Sequence, residues 1–170
     1  MSLRLTLAGA GFLLALAPAA LAQPAAPPPT AEAAAQDKAF NDAVGAARAS
    51  LPVFWARLAD GSDDPDEFSL KVVFPSPGGG VEELWLWNIK RDGGRITGRL
   101  NVEPQALPNM HRGQMVPINE ANIIDWTFKE GRKRYGHFTS RVLAKDHPED
   151  SAKLMATLSD NPLPADGRFK

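Results

Sequence analysis

Three strand-length runs, separated by glycine-rich turns, follow one another between Phe68 and Val102. In FSLKVVF, Phe68, Leu70, Val72 and Phe74 alternate with Ser69, Lys71 and Val73. This two-residue period marks a strand with one buried face. PSPGGG then turns the chain, ELWLWNIKR forms the second run, DGG the next turn and RITGRLNV the third. Tight turns join antiparallel neighbours, so this stretch predicts a meander. QMVPI and NIIDWTFK are further strand candidates, with Pro117 weakening the first. QALPNMHRG is irregular, and EGRKRYG reads as a turn or loop.

Helical spacing flanks the sheet. Phe40, Val44, Ala47 and Leu51 recur on one face of a helix that starts near Asp37. Pro52 interrupts it. Ser50 can cap a second short helix with Pro52 in its first turn, and Leu51, Phe54, Trp55 and Leu58 give that helix one apolar stripe ending at Asp60-Gly61. Near the C-terminus, Asp146 can cap a helix with Pro148 in the first turn and Glu149 at the third position. Leu154, Met155 and Leu158 form its buried side. The predicted architecture is one α+β domain over 37–170, an antiparallel sheet of about four to five strands with an N-terminal helical segment and a C-terminal helix packed on it.

The chain begins MSLRLTLAGAGFLLALAPAALAQ. Arg4, the apolar run Leu5 to Ala17 and the motif Ala20-Leu21-Ala22 are the three parts of a signal peptide, in order. Cleavage after Ala22 is expected, leaving a chain outside the cytoplasm, periplasmic or secreted, with no stable membrane insertion. QPAAPPPTAEAAAQ, residues 23–36, should form an extended Pro/Ala-rich linker. There is no cysteine, so neither disulfide nor thiol chemistry is available. Stability must come from the core, which about 135 residues suffice to build. The formal charge of −1 becomes −2 without Arg4. That balance gives no bulk attraction to nucleic acid or anionic membrane.

Trp85 and Trp87, two residues apart, share one face of their strand. A two-residue loop at Asp92-Gly93 pairs Trp87 with Gly98; one at Gly93-Gly94 pairs it with Leu100. In both registers the indoles join Ile96, Leu100 and Val102. Only a three-residue loop sets Trp87 opposite Arg99. The reading is therefore that both indoles are core, the alternative being a ligand platform; each burial would contribute about 2–3 kcal/mol before entropy, and in the first register Gly98 leaves room beneath Trp87.

From about Phe68 to Leu143 the chain resembles the YegJ-like family of bacterial domains, domain of unknown function 2314. The resemblance rests on Glu83-Leu84-Trp85-Leu86, Asn88-Ile89, Gly98, Asn101-Val102-Glu103-Pro104, Arg112-Gly113-Gln114, Ile124-Asp125-Trp126 and Tyr135-Gly136-His137-Phe138-Thr139-Ser140-Arg141. Several members of that family carry a second glycine where this chain has His137. The resemblance implies a single small domain and supplies no reaction.

The candidate chemistry is sparse. His111, His137 and His147 lack ligand spacing, and no cysteine can join them, so no metal or cofactor is expected. Standard nucleophile, phosphate-loop and dinucleotide motifs are absent. Glu103 and Asp125 could face each other for acid–base work; the favoured reading is that Asp125 fixes a loop through backbone amides or Arg141. Arg141 could clamp a carboxylate or phosphate, with Gly136 allowing close backbone approach and Thr139 otherwise capping a helix. Lys129, Arg132, Lys133 and Arg134 read as a solvated turn tip. The leading expectation is a non-enzymatic binding or interaction module. Its candidate ligand-binding residues are Asn101, Glu103, Asp125, His137, Thr139 and Arg141, and it would take an unknown protein or a small anionic ligand. The alternatives are a small periplasmic hydrolase using Glu103 or Asp125 with His137, and a structural envelope protein.

Overall fold

Alternation and turns produce one six-stranded antiparallel sheet, in the order β4-β3-β2-β1-β5-β6. The computed structural model describes residues 31–61 and 64–165. The expected signal peptide and most of the expected linker lie outside the described residues. The strands are β1 (Ser69–Pro75), β2 (Val81–Asp92), β3 (Arg95–Leu100), β4 (Met115–Ile118), β5 (Ile123–Glu130) and β6 (Lys133–Gly136). The helices are α1 (Ala31–Ala49), α2 (Leu51–Asp60), α3 (Phe138–Leu143) and α4 (Pro148–Thr157).

The α+β class holds, with more strands than the four to five expected. The added strand is β6, in the segment that reads as a loop. It pairs with β5 from Glu130↔Lys133 to Thr127↔Gly136. Four residues with two bases and no apolar alternation give no strand signal of their own. α1 begins at Ala31, inside the segment expected to be an extended spacer, because its alanines are strong helix formers. α4 is preceded by His147 rather than Asp146 at the cap position, and Met155 is exposed.

One face of the sheet is the core. Leu100, Leu86, Leu70 and Trp126 stand side by side across four strands, each with 0% exposure. α2 lies on this face: Phe54 meets Phe68 edge-on at 5.6 Å and tilts against Trp126 at 6.0 Å. Trp126 donates its Nε1 hydrogen to Ala47 O (3.0 Å) and Ser50 Oγ (3.2 Å), which ties β5 to the α1–α2 junction. Buried aromatic clusters of this kind contribute several kcal/mol. Arg57, also buried, pairs with Glu130.

The tryptophan pair is not on that face. β2 and β3 are joined by the two-residue Gly93-Gly94 loop, with Asp92 opposite Arg95, yet Trp87 stands opposite Arg99. The ladder shifts between Trp87 and Lys90. Asn88 there has φ 49°, the left-handed conformation that asparagine tolerates better than most residues. The bulge turns Ile89 inward beside Leu84 and Leu86, leaving Trp85 and Trp87 on the opposite face. The expectation of core indoles is thereby corrected. Gly98 makes room for Ile89: a Cβ there would lie 2.7 Å from Ile89 Cδ1. Val102, expected beside the indoles, is 49% exposed.

Both rims of the sheet are modified. β4 forms one edge and carries Pro117, which has no N–H to offer. At the other edge, Leu158 forms a parallel bridge with Arg134, Ser159 N donates to Arg134 O (2.9 Å) and Gly136 N donates to Pro162 O (2.8 Å).

Candidate functional site

On the face away from the core, Arg99, Trp87, Ser69 and Thr127 form one row across β3, β2, β1 and β5. Trp85, Lys71 and Asp125 form the next row. A cleft of about 540 Å³ opens over them, floored by Trp85, Trp87, Ser69 and Thr127. Asn101 follows β3 at its margin, Asp66 and Arg134 add opposite charges, and His137 and Leu154 of α4 complete the lining. Its size falls among small-molecule clefts, about 300–1,000 Å³.

One polar atom of the lining is buried without a partner. Thr127 is 3% exposed, and its Oγ1 has no hydrogen-bond partner among the described residues. Such a buried hydroxyl costs about 1–3 kcal/mol. The indole Nε1 groups of Trp85 and Trp87 make no hydrogen bond among the described residues either. The other two tryptophans are committed: Trp126 as above, and Trp55 through Nε1 to Glu120 Oε1 at 2.9 Å.

His137 stacks obliquely on Trp85, ring centres 5.0 Å apart. Its φ of 56° is left-handed, which explains why glycine suits this position in the resembling family. Nδ1 meets Ser140 Oγ at 3.2 Å. Burial, reinforced by the charges of Arg134, Arg141 and Lys71, lowers the imidazole to about 4, so the ring is neutral at pH 7. Arg134 donates to Glu67 Oε2 (2.7 Å), and Lys129 to Glu67 Oε1 (2.9 Å). These bonds, the one from Lys129 foremost, hold the Glu67 carboxyl below its ordinary range. Part of the expected solvated basic tip is thus an ion-pair network.

The sequence-derived candidates divide. Asn101 and His137 line the cleft. Asp125 is fully buried and caps α3 from the neighbouring strand: Oδ1 accepts from Trp126 N (2.8 Å) and Phe138 N (3.1 Å), and Oδ2 from Thr139 N (2.8 Å) and Thr139 Oγ1 (2.6 Å). Burial pushes its carboxyl up, and the four donated bonds oppose that shift. Thr139 therefore serves Asp125 and does not itself cap the helix. Arg141 donates Nε to Gly136 O (3.0 Å) and Nη2 to Ser159 O (2.8 Å), so its fork ties loops together. Glu103 lies on a separate loop, with Oε1 2.9 Å from His111 Nδ1 and Oε2 accepting from Arg112 N at 2.8 Å. The backbone bond from Arg112, then the imidazole, lowers its carboxyl. Among the described residues no group of three histidine, aspartate or glutamate side chains could hold a metal ion.

Sequence reasoning set Trp85 and Trp87 in the core over the alternative of a ligand platform, and missed Ser69 and Thr127 as site residues. A signal existed: Leu84, Leu86 and Ile89 break the two-residue period, and an asparagine sits at the break.

The family model described as "Uncharacterized protein conserved in bacteria (DUF2314)" matches residues 37–156. The chain belongs to the DUF2314 family. The match takes in the six strands and nearly all of α4, so the whole cleft is family territory. This DUF2314 chain is 28% identical over 115 residues to "Uncharacterized protein YegJ" of Escherichia coli (strain K12), covering 68% of this chain and 73% of that one. It is 35% identical over 69 residues to "Putative ankyrin repeat protein NMB1133/NMB1171" of Neisseria meningitidis serogroup B (strain ATCC BAA-335 / MC58), covering 41% of this chain and 27% of that protein. No solved structure matches the DUF2314 chain. Among the described residues no helix is long and apolar enough to cross a membrane.

Proposed function

We propose that this DUF2314 protein is an exported, non-catalytic binding module that takes its ligand in the cleft over Trp85 and Trp87. The observation that carries the reading is one juxtaposition: two half-buried indoles beside the buried, unpaired hydroxyl of Thr127. A buried hydroxyl without a partner, set beside apolar ring surface in a cleft, is a place where a ligand can complete the bond. The carboxylates support the same reading. Asp125 is occupied by four donors and Glu103 is on another loop, so neither is poised beside His137 as a base. Export rests on the N-terminal leader, with Gln23 as the mature N-terminus.

The test is nuclear magnetic resonance of the nitrogen-15-labelled protein against a mixed library of small polar and aromatic fragments. Hits should move the Trp85 and Trp87 indole signals and spare Trp55 and Trp126. A screen whose hits leave both cleft indoles unmoved rejects the reading. Export is checked separately by sequencing the N-terminus of the protein recovered from the periplasmic fraction; an intact Met1 rejects it.

A further inference from the structure

The cleft's chemistry narrows the ligand. Arg134 and Asp66 bring opposite formal charges to the lining. Each cation near the floor already has an acceptor: Lys71 has Glu83 at 2.7 Å, Arg134 has Glu67, Arg99 has Gly113 O at 2.8 Å, and Arg141 has two backbone carbonyls. Their donors are engaged, so a buried anion would have to displace one of these bonds to replace its lost hydration. A cation fares no better: the carboxylate of the lining, Asp66, is exposed and its Oδ1 already accepts from Asn88 Nδ2 at 3.1 Å. What the floor does offer is flat apolar area from two indoles, two indole N–H donors, and the hydroxyls of Ser69 and Thr127, which can donate or accept. Strand geometry places the indoles about 7 Å apart along β2, enough for one ring or two successive rings to lie across them.

We propose that the ligand is an uncharged saccharide, its C–H face stacked on Trp85 and Trp87 and one hydroxyl paired with Thr127 Oγ1. The inference rests on the binding reading above and adds the ligand class. A sugar ring has both features the floor calls for, an apolar face and a hydroxyl edge whose groups donate and accept. An apolar ligand would leave the Thr127 hydroxyl and both indole N–H groups unpaired, and so would bind more weakly.

The probes are cellohexaose, chitohexaose and maltohexaose as neutral oligosaccharides, with oligogalacturonate as the anionic comparison, titrated into the labelled protein. At least one neutral oligosaccharide should shift the Trp85 and Trp87 indole signals saturably, with Trp55 and Trp126 as internal controls. Trp85→Ala should weaken that binding about 10-fold. Thr127→Val, nearly isosteric, should weaken it about 5-fold while preserving the fold. The ligand class is overturned if all three neutral sugars are silent at millimolar concentration, or if oligogalacturonate alone binds. It is overturned equally if a sugar binds but both variants bind it as the parent does. Silent sugars alongside fragment hits on the two indoles would remove the saccharide and leave the binding reading standing; silence in both experiments would remove both.

Discussion

Trp87 stands across the β2–β3 pair from Arg99, while its neighbour Leu86 stands across from Leu100. Everything on the open face depends on that register. A single extra residue at Asn88 separates the indoles from the aliphatic side of the sheet, where an unbroken ladder would have placed them.

The bulge should therefore be sensitive to what occupies position 88. Asn88→Val places a β-branched residue at φ 49° and should cost about 1–2 kcal/mol. Asn88→Gly keeps the conformation, loses only the exposed bond to Asp66 Oδ1 (3.1 Å), and should be near neutral. Urea unfolding of the two variants checks this; equal stabilities would mean the left-handed turn is not what fixes the register.

Asp125 should behave as a structural residue. In Asp125→Asn an NH₂ group replaces one acceptor oxygen and faces N–H donors that are left unpaired. A loss of about 3 kcal/mol or more is expected in denaturant melts. A variant that unfolds like the parent would contradict the capping role.

Glycines 136 and 131 separate steric from conformational cost. Both have positive φ, 76° and 59°. A Cβ at Gly136 would lie 2.0 Å from Trp126 O, whereas one at Gly131 meets nothing within 4 Å. Gly131→Ala should cost about 1 kcal/mol. Gly136→Ala should cost more than about 4 kcal/mol and abolish soluble expression. Comparable yields and melting temperatures for the two would refute the close approach.

His137 links stability to pH. Its folded value of about 4 lies below the ordinary 6.5. Between those values the unfolded chain binds more protons, so stability is lost as pH falls from 6.5 towards 4 and levels off below. The loss is on the order of 3 kcal/mol. Asp125, shifted upward, works the other way just above its ordinary value, because there the folded form holds the proton. His137→Asn tolerates the left-handed backbone and isolates the imidazole: its stability should fall less than the parent's over this window. Parallel profiles would exclude His137 as the source.

Helices α1, α2 and α4 and five of the six strands are legible because each carries its own period and its own punctuation; α3 is not. Phe54 and Leu51 sit inward as the α2 stripe predicts, and Pro117 is tolerated because β4 is an edge. β6 was not legible: Lys133-Arg134-Tyr135-Gly136 becomes a strand only because β5 is there to pair with it. The facing of Trp85 and Trp87 was legible only in the broken period around Asn88. Period counting assumes a regular ladder, and Asn88 breaks it. Asp125 and Arg141 drew attention for their charge, yet both satisfy backbone groups. The floor of the cleft is built instead from aromatic and small hydroxyl residues, which carry no charge to draw attention.

The tail from Leu158 to Pro162 has a further consequence. By bonding to Arg134 and Gly136 it occupies the outer rim of β6, as Pro117 spoils the rim of β4. Neither border can readily template a strand from another molecule, so the aromatic floor stays open to visitors while the sheet around it resists growing into a fibre.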